Sequence, residues 1–355
     1  MRVRMIGMLC AALIASVAGL RAADPMYSKI GEIAIGGAGA FDYLNVDSAA
    51  QRLYVTHGTE VVVIDTATNA IVGRITDTPG VHGIAIAPGA RGFTSNGREN
   101  KVSIVDLKTL QTMSKVETGA NPDAILYEPK QKEIYALNHT GHSATVIDAA
   151  TGKVVATIPL AGDAESGQAD PVLNRVFVNI EDKNSVDVID ITTHKVVANW
   201  PVAPAEEPTG MAIDLDRHVL FVGGGPNTVM IDAKSGKVLA SAAICNGTDA
   251  TWFDPKTQLV FSSCRDGHIA VMKEDGTKAL TAIETIPTLF GARTMALDAA
   301  THRVYTASSK FPPVDPNAPP PPARGRGPAP IPDSFHVLVF GMKSPVPSAT
   351  KRNGE

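Results

Sequence analysis

Apolar residues recur along this chain in short, strand-sized runs at a fixed period. Val61-Val62-Val63-Ile64-Asp65 returns as Val102-Ser103-Ile104-Val105-Asp106, Ala144-Thr145-Val146-Ile147-Asp148, Val186-Asp187-Val188-Ile189-Asp190 and Thr228-Val229-Met230-Ile231-Asp232. The closing Asp residues stand 41, 42, 42 and 42 positions apart. Worn copies are Ile269-Ala270-Val271-Met272-Lys273 and Val337-Leu338-Val339-Phe340. A second apolar run precedes each copy, as in Arg52-Leu53-Tyr54-Val55 and Arg175-Val176-Phe177-Val178. A turn such as Ala149-Ala150-Thr151-Gly152 and a third run follow it. Asp, Thr, Asn and Gly suit the tight corners, and short β-branched runs predict strands. One period is therefore four short strands, the content of a propeller blade. Helical solenoids are excluded because no run has a helical period. A β-sandwich would leave the fixed spacing unexplained.

Seven inner strands are predicted, beginning near Tyr43, Ile84, Ile125, Gln168, Met211, Trp252 and Met295. The last repeat ends at Val337–Phe340 with no outer strand after it, while Gly31-Glu32-Ile33-Ala34-Ile35 precedes the first inner strand. The expected fold is all-β: a seven-bladed β-propeller of four-stranded blades over residues 27–342, with the N-terminal strand closing the last blade. That closure pairs two edges that would otherwise invite aggregation. Arg52-Leu53-Tyr54-Val55-Thr56 followed by Val63-Ile64-Asp65-Thr66-Ala67-Thr68-Asn69 resembles the YVTN-type repeat of secreted bacterial YncE-like propellers, over about residues 30–342. The resemblance implies the fold and says little about chemistry. Related propellers include binding proteins, lactonases, lyases and subunits of quinone-dependent dehydrogenases.

Composition adds a compartment. Met1–Arg4 is basic, Met5–Leu20 is apolar, and Ala22-Ala23 are small, so residues 1–23 read as a cleaved signal peptide. The protein is then expected in the periplasm or outside the cell, with no transmembrane segment remaining. Cleavage leaves 29 Lys and Arg against 36 Asp and Glu, a mildly acidic chain with no electrostatic case for nucleic acid. Apolar residues make up 44% of the sequence, enough for a sizeable core. Cys10 leaves with the signal. Cys245 and Cys264 remain as a candidate disulfide, with a free buried pair or a metal site as alternatives. Residues 312–333 form a Pro-rich insertion in blade seven, read as a lid, a docking arm or a tolerated surface loop. Residues 343–355 are expected to be a flexible tail.

Candidate chemistry follows from comparing equivalent positions between blades. Six residues before the end of each inner strand stand Asp42, His82, Asp123, Glu165, Thr209, Asp249 and Arg293. They should form one ring at one mouth of the central channel. Polar loop residues often only cap strands, but seven equivalent positions without an apolar member favour a site. Converging carboxylates raise one another's pKa unless a cation offsets them, so a divalent cation or a polar ligand such as a sugar is expected there. A second set, His57, Asn96, Asn138, Ile180, Gly224, Cys264 and Ser308, should lie at the same mouth, with His139, Glu181 and Glu207 close by. Trp252 is read as filling space between blades, with plugging the channel or stacking on a sugar as alternatives. The chain lacks a nucleophile elbow, phosphate loop, haem-attachment motif and EF-hand.

Two functions are carried forward. The first is an exported, monomeric binding or scaffold protein presenting an acidic mouth to a small polar ligand, cell-envelope polymer or partner protein. The second is a lactonase-like hydrolase or lyase, possible divalent cation included, using His82 as base, Asp123 as a mouth acid and Arg293 as anion stabiliser.

Overall fold

Each repeat closes on itself as an antiparallel four-stranded sheet. The computed structural model describes residues 26–37, 40–245, 247–312 and 329–343. Blade one runs outward through Leu44–Asp47, Arg52–His57, Glu60–Asp65 and Ile71–Ile75. Five further blades repeat that order, and the inner strands of blades seven and one touch, closing the ring. Blade seven is assembled from both ends of the chain. Met295–Asp298, Arg303–Ser308 and His336–Met342 are completed by Tyr27–Ala34. Ile33 faces Val337 and Tyr27 faces Met342 in that register. The closing strand starts four residues before the expected Gly31, because Tyr27 is buried between blades six and seven.

The core lies between blades rather than within them. Seven apolar clusters fill the seven interfaces; that between blades one and two includes Tyr54, Val61, Val63, Ile84 and Val105. That between blades seven and one includes Ile33, Leu53, Ile64, Tyr305 and Val339. Strand alternation sends successive side chains to opposite faces, so each blade packs both faces. The repeated Asp is a turn residue: Asp65 accepts from the Ala67 and Thr68 amides at 3.0 and 2.9 Å, and Asp106 from those of Lys108 and Thr109 at 2.8 and 3.1 Å.

Three inner strands start earlier than the sequence suggests, at Val81, Pro122 and Ala164 instead of Ile84, Ile125 and Gln168. Their first residues pair with Asn96, Asn138 and Ile180 across a register shift. No helix among the described residues is long and apolar enough to cross a membrane. The expected signal at 1–23, most of the Pro-rich insertion (313–328) and nearly all of the tail (344–355) lie outside the described residues.

Candidate functional site

The two loop sets meet at one mouth. Loops between second and third strands donate to loops entering the inner strands: Gly97 to the Gly80 carbonyl, His139 to Asn121 and Glu181 to Asp163, each at 2.9 Å, and Arg265 to Gly247 at 3.1 Å. The main chain of the ring is held by preceding blades. The Tyr43 amide donates to the His82 carbonyl at 2.9 Å, and the Thr294 hydroxyl to that of Asp42 at 2.8 Å. Hydroxyls of Ser95, Ser166 and Ser263 do the same for Asp123, Thr209 and Arg293. This fixes where the side chains begin.

Asp42, Thr209, Asp249 and Arg293 enter from loops, whereas His82, Asp123 and Glu165 stand on strands at the register shifts. A bulge re-aims side chains beside it, and here the side chains converge. His82 Nδ1 lies 2.6 Å from Asp42 Oδ2 and 3.4 Å from Asp123 Oδ1. His139 Nδ1 lies 3.1 Å from Glu165 Oε1. Arg293 Nε is 3.1 Å from Asp249 Oδ2, and its Nη2 is 3.7 Å from Asp42 Oδ1. Thr209 instead turns its hydroxyl to the Thr248 carbonyl at 2.6 Å.

Burial and like charge govern this cluster. Desolvation, reinforced by Asp42 and Glu165, pushes the Asp123 carboxyl well above the usual range. Burial also raises Asp249 to about 7, with Arg293 opposing the shift and Asp42 adding to it. The Glu165 hydrogen bond lifts His139 to about 9, so the imidazole is cationic at neutral pH. For Arg293, burial opposes the charge, but Asp249 and Asp42 outweigh it. Asp123 Oδ1 is buried and lacks a hydrogen-bond partner.

In the sequence Tyr43 stands out only as a strand start. It crosses the axis from blade one, packs against the cluster between blades three and four, and donates its hydroxyl to Glu165 Oε2 at 3.2 Å. The available signal was an aromatic residue with a polar tip next to ring position Asp42. The inner strands surround a channel of about 480 Å3, with Tyr43 and Asp249 in its wall at the mouth end. That volume falls in the small-molecule range. Trp252 lines the channel and donates to the Met295 carbonyl at 2.8 Å. Equivalent residues Asn45 and Gln168 donate likewise to Ile84 and Met211 at 2.9 and 3.0 Å. Trp252 is thus both interblade packing and channel wall.

The second set mostly holds loops. His57 stacks on Phe335 with ring centroids 4.5 Å apart. Asn96 donates to Ser103 and Glu99 at 2.7 and 2.8 Å, and Asn138 donates to Thr145 and Ser143 at 3.0 and 3.1 Å. Only the neighbouring His139 joins the central cluster. Glu181 is half-buried, and burial followed by Glu165 raises its carboxyl. Glu207 is exposed on the rim, and its amide donates to Asn184 at 2.7 Å. Cys245 and Cys264 form a disulfide, Cα atoms 5.9 Å apart.

Fold and mouth together define a seven-bladed β-propeller with a polar, mainly acidic channel opening. No family model matches the sequence. The chain is 34% identical over 111 residues to the uncharacterized protein YncE of Salmonella typhi, and 33% over 111 residues to that of Salmonella typhimurium. Each match covers 29% of this chain and 31% of the relative. This partial match, alongside the seven-bladed architecture, makes the chain similar to YncE-like β-propellers over about a third of the relatives' length. Among solved structures, a chain of Kuenenia stuttgartiensis hydrazine synthase superposes with a TM-score of 0.69 at 17% identity, over 76% of this chain and 92% of its own. A chain of the mitotic checkpoint complex does so at 0.73 and 11% identity, over 97% and 100%. At such identities these likenesses concern the fold alone.

Proposed function

We propose that this propeller is an exported binding protein whose acidic mouth takes a small polar ligand, by hydrogen bonds to carboxylates and by charge. The observation that carries this reading is the convergence of Asp42, His82, Asp123, Glu165, His139, Asp249 and Arg293 over one channel opening. Buried carboxylates held by neighbouring blades are preorganised acceptors, and preorganisation lowers the entropic cost of binding. Sugars and amino sugars fit best, because four carboxyl groups offer several acceptor oxygens while Arg293 and the His139 imidazolium offset part of their charge.

A hydrolase or lyase reading has one observation in its favour. Asp249, at about 7 and beside Arg293, has the proton affinity of a general acid or base at neutral pH. Binding is the first conclusion because it accounts for the whole converging cluster, whereas the catalytic reading draws on this one carboxyl.

The test is a thermal-shift and calorimetric screen of the chelator-treated protein against neutral sugars, amino sugars and polyamines. Hits are repeated on the Asp123→Asn/Asp249→Asn double variant. Binding to wild type that weakens at least ten-fold in the variant supports the reading. Equal binding to both, or none across the panel, sinks it. Lactone turnover abolished by Asp249→Asn moves the assignment to the enzyme.

A further inference from the structure

We propose that Asp123, His139 and Glu165 bind a divalent transition-metal ion at the channel mouth, with Asp42 and His82 flanking it through the shared Asp123. This deepens the binding function proposed above, since it names a ligand of the same mouth.

Two observations carry it. The first is placement. One ligand atom from each of Asp123, His139 and Glu165 lies within 4.8 Å of the others, and Asp42, His82 and Asp123 form a second such group. The His139–Glu165 contact of 3.1 Å and the His82–Asp123 contact of 3.4 Å are close to the separation of neighbouring ligand atoms around a metal with bonds of about 2.0–2.1 Å, roughly 3.3 Å. A bound ion would displace the imidazole proton that now lies between His139 Nδ1, Glu165 and the Ala164 carbonyl. The second is the buried Asp123 Oδ1, which makes no hydrogen bond and has the His82 imidazole beside it only at 3.4 Å, 9% of the residue being exposed. A buried acceptor without a hydrogen bond is costly, and Asp123 is the residue the two groups share.

The surroundings support coordination. Glu165 accepts the Tyr43 hydroxyl on Oε2, which leaves Oε1 toward His139. Such an outer partner fixes how a carboxylate presents its ligand oxygen. The Asp123 main chain is tied to Ser95, so its side chain departs from a fixed point. Imidazole with carboxylates suits zinc, manganese, iron or cobalt, whereas all-oxygen sets suit magnesium and calcium. The one other group of this kind among the described residues, Cys245, Cys264 and His268, has its sulfurs committed to the disulfide.

Cobalt(II) and zinc are the probes. The full chain without its signal is stripped with chelator and dialysed. It is then titrated with Co2+ while visible d–d absorption is followed, and zinc is quantified by mass spectrometry after equilibrium dialysis. We expect saturable binding of one equivalent, or of two if the Asp42–His82 side fills as well. Asp123→Asn and His139→Gln, each checked for wild-type circular dichroism, should weaken it at least ten-fold. His142→Gln, at an exposed imidazole paired with Asp163, should leave it unchanged. No saturable binding to wild type, or equal binding by folded Asp123→Asn and His139→Gln, overturns the site. The sugar and polyamine screen runs in chelator, so it can succeed while this proposal fails.

Discussion

Glu274 offers a test of the interblade electrostatics away from the mouth. It lies on the third strand of blade six, is 1% exposed, and has no hydrogen-bond partner for either carboxylate oxygen. Asp214, 2% exposed, stands close to it in blade five, and the Arg217 guanidinium comes no nearer than 3.9 Å. Burial first, then Asp214, raises the carboxyl from 4.5 to about 7, Arg217 offsetting only part. Because the folded value lies above the unfolded one, the associated stability is complete below 4.5. It is lost as pH rises from 4.5 through 7. Displacing a carboxyl that far corresponds to roughly 3 kcal/mol, an upper limit reached only above pH 8. Glu274→Gln keeps the neutral form at every pH. Its melting temperature should match wild type at pH 4.5 and exceed it by roughly 4 °C at pH 8, taking about 2 °C per kcal/mol for a domain this large and discounting for water reaching the ionised group. Calorimetry from pH 4.5 to 8.5 measures the difference. A constant offset, or melting curves that coincide throughout, would refute the reasoning, because either outcome means the carboxylate ionises in the folded state without penalty.

Arg293→Met removes the cation shared by Asp249 and Asp42 and should cost about 3 kcal/mol, less to the extent that solvent reaches the guanidinium. Adding Asp249→Asn should recover part of that loss in urea denaturation, and zero coupling in the double-mutant cycle counts against the pairing. Deleting Tyr27–Ala34 strips the outer strand from blade seven and exposes the His336–Met342 edge. The truncated chain should lose cooperative unfolding and associate with rising concentration by light scattering, whereas a two-state monomer with unchanged melting contradicts the closure.

What the sequence disclosed depends on whether a residue finds its partner inside its own blade. Asp65, Asp106, Asp148 and Asp190 each accept from amides two or three residues onward. That requirement is local, so it recurs with the period and reveals the fold. The ring Asp42, His82, Asp123, Glu165, Asp249 and Arg293 could be placed by counting, because blades repeat. Which partners its members take could not, because Asp42 answers to residues 40 and 251 positions away. The register shifts beside His82, Asp123 and Glu165 likewise arise from cross-strand pairing rather than local preference. His57 looked equivalent to a mouth residue until Phe335, from the far end of the chain, covered it. Tyr43 reached Glu165 across the axis, 122 positions on. The turn aspartates that stay alike from blade to blade are satisfied within a blade. The ring positions that differ stand at the axis, where side chains from several blades meet one another. In a closed ring of repeats, departure from the repeat therefore marks the residues answering to a neighbour or a ligand. Arg293 is the sharpest such departure, a permanent cation at a position where other blades carry carboxylates, histidine or threonine.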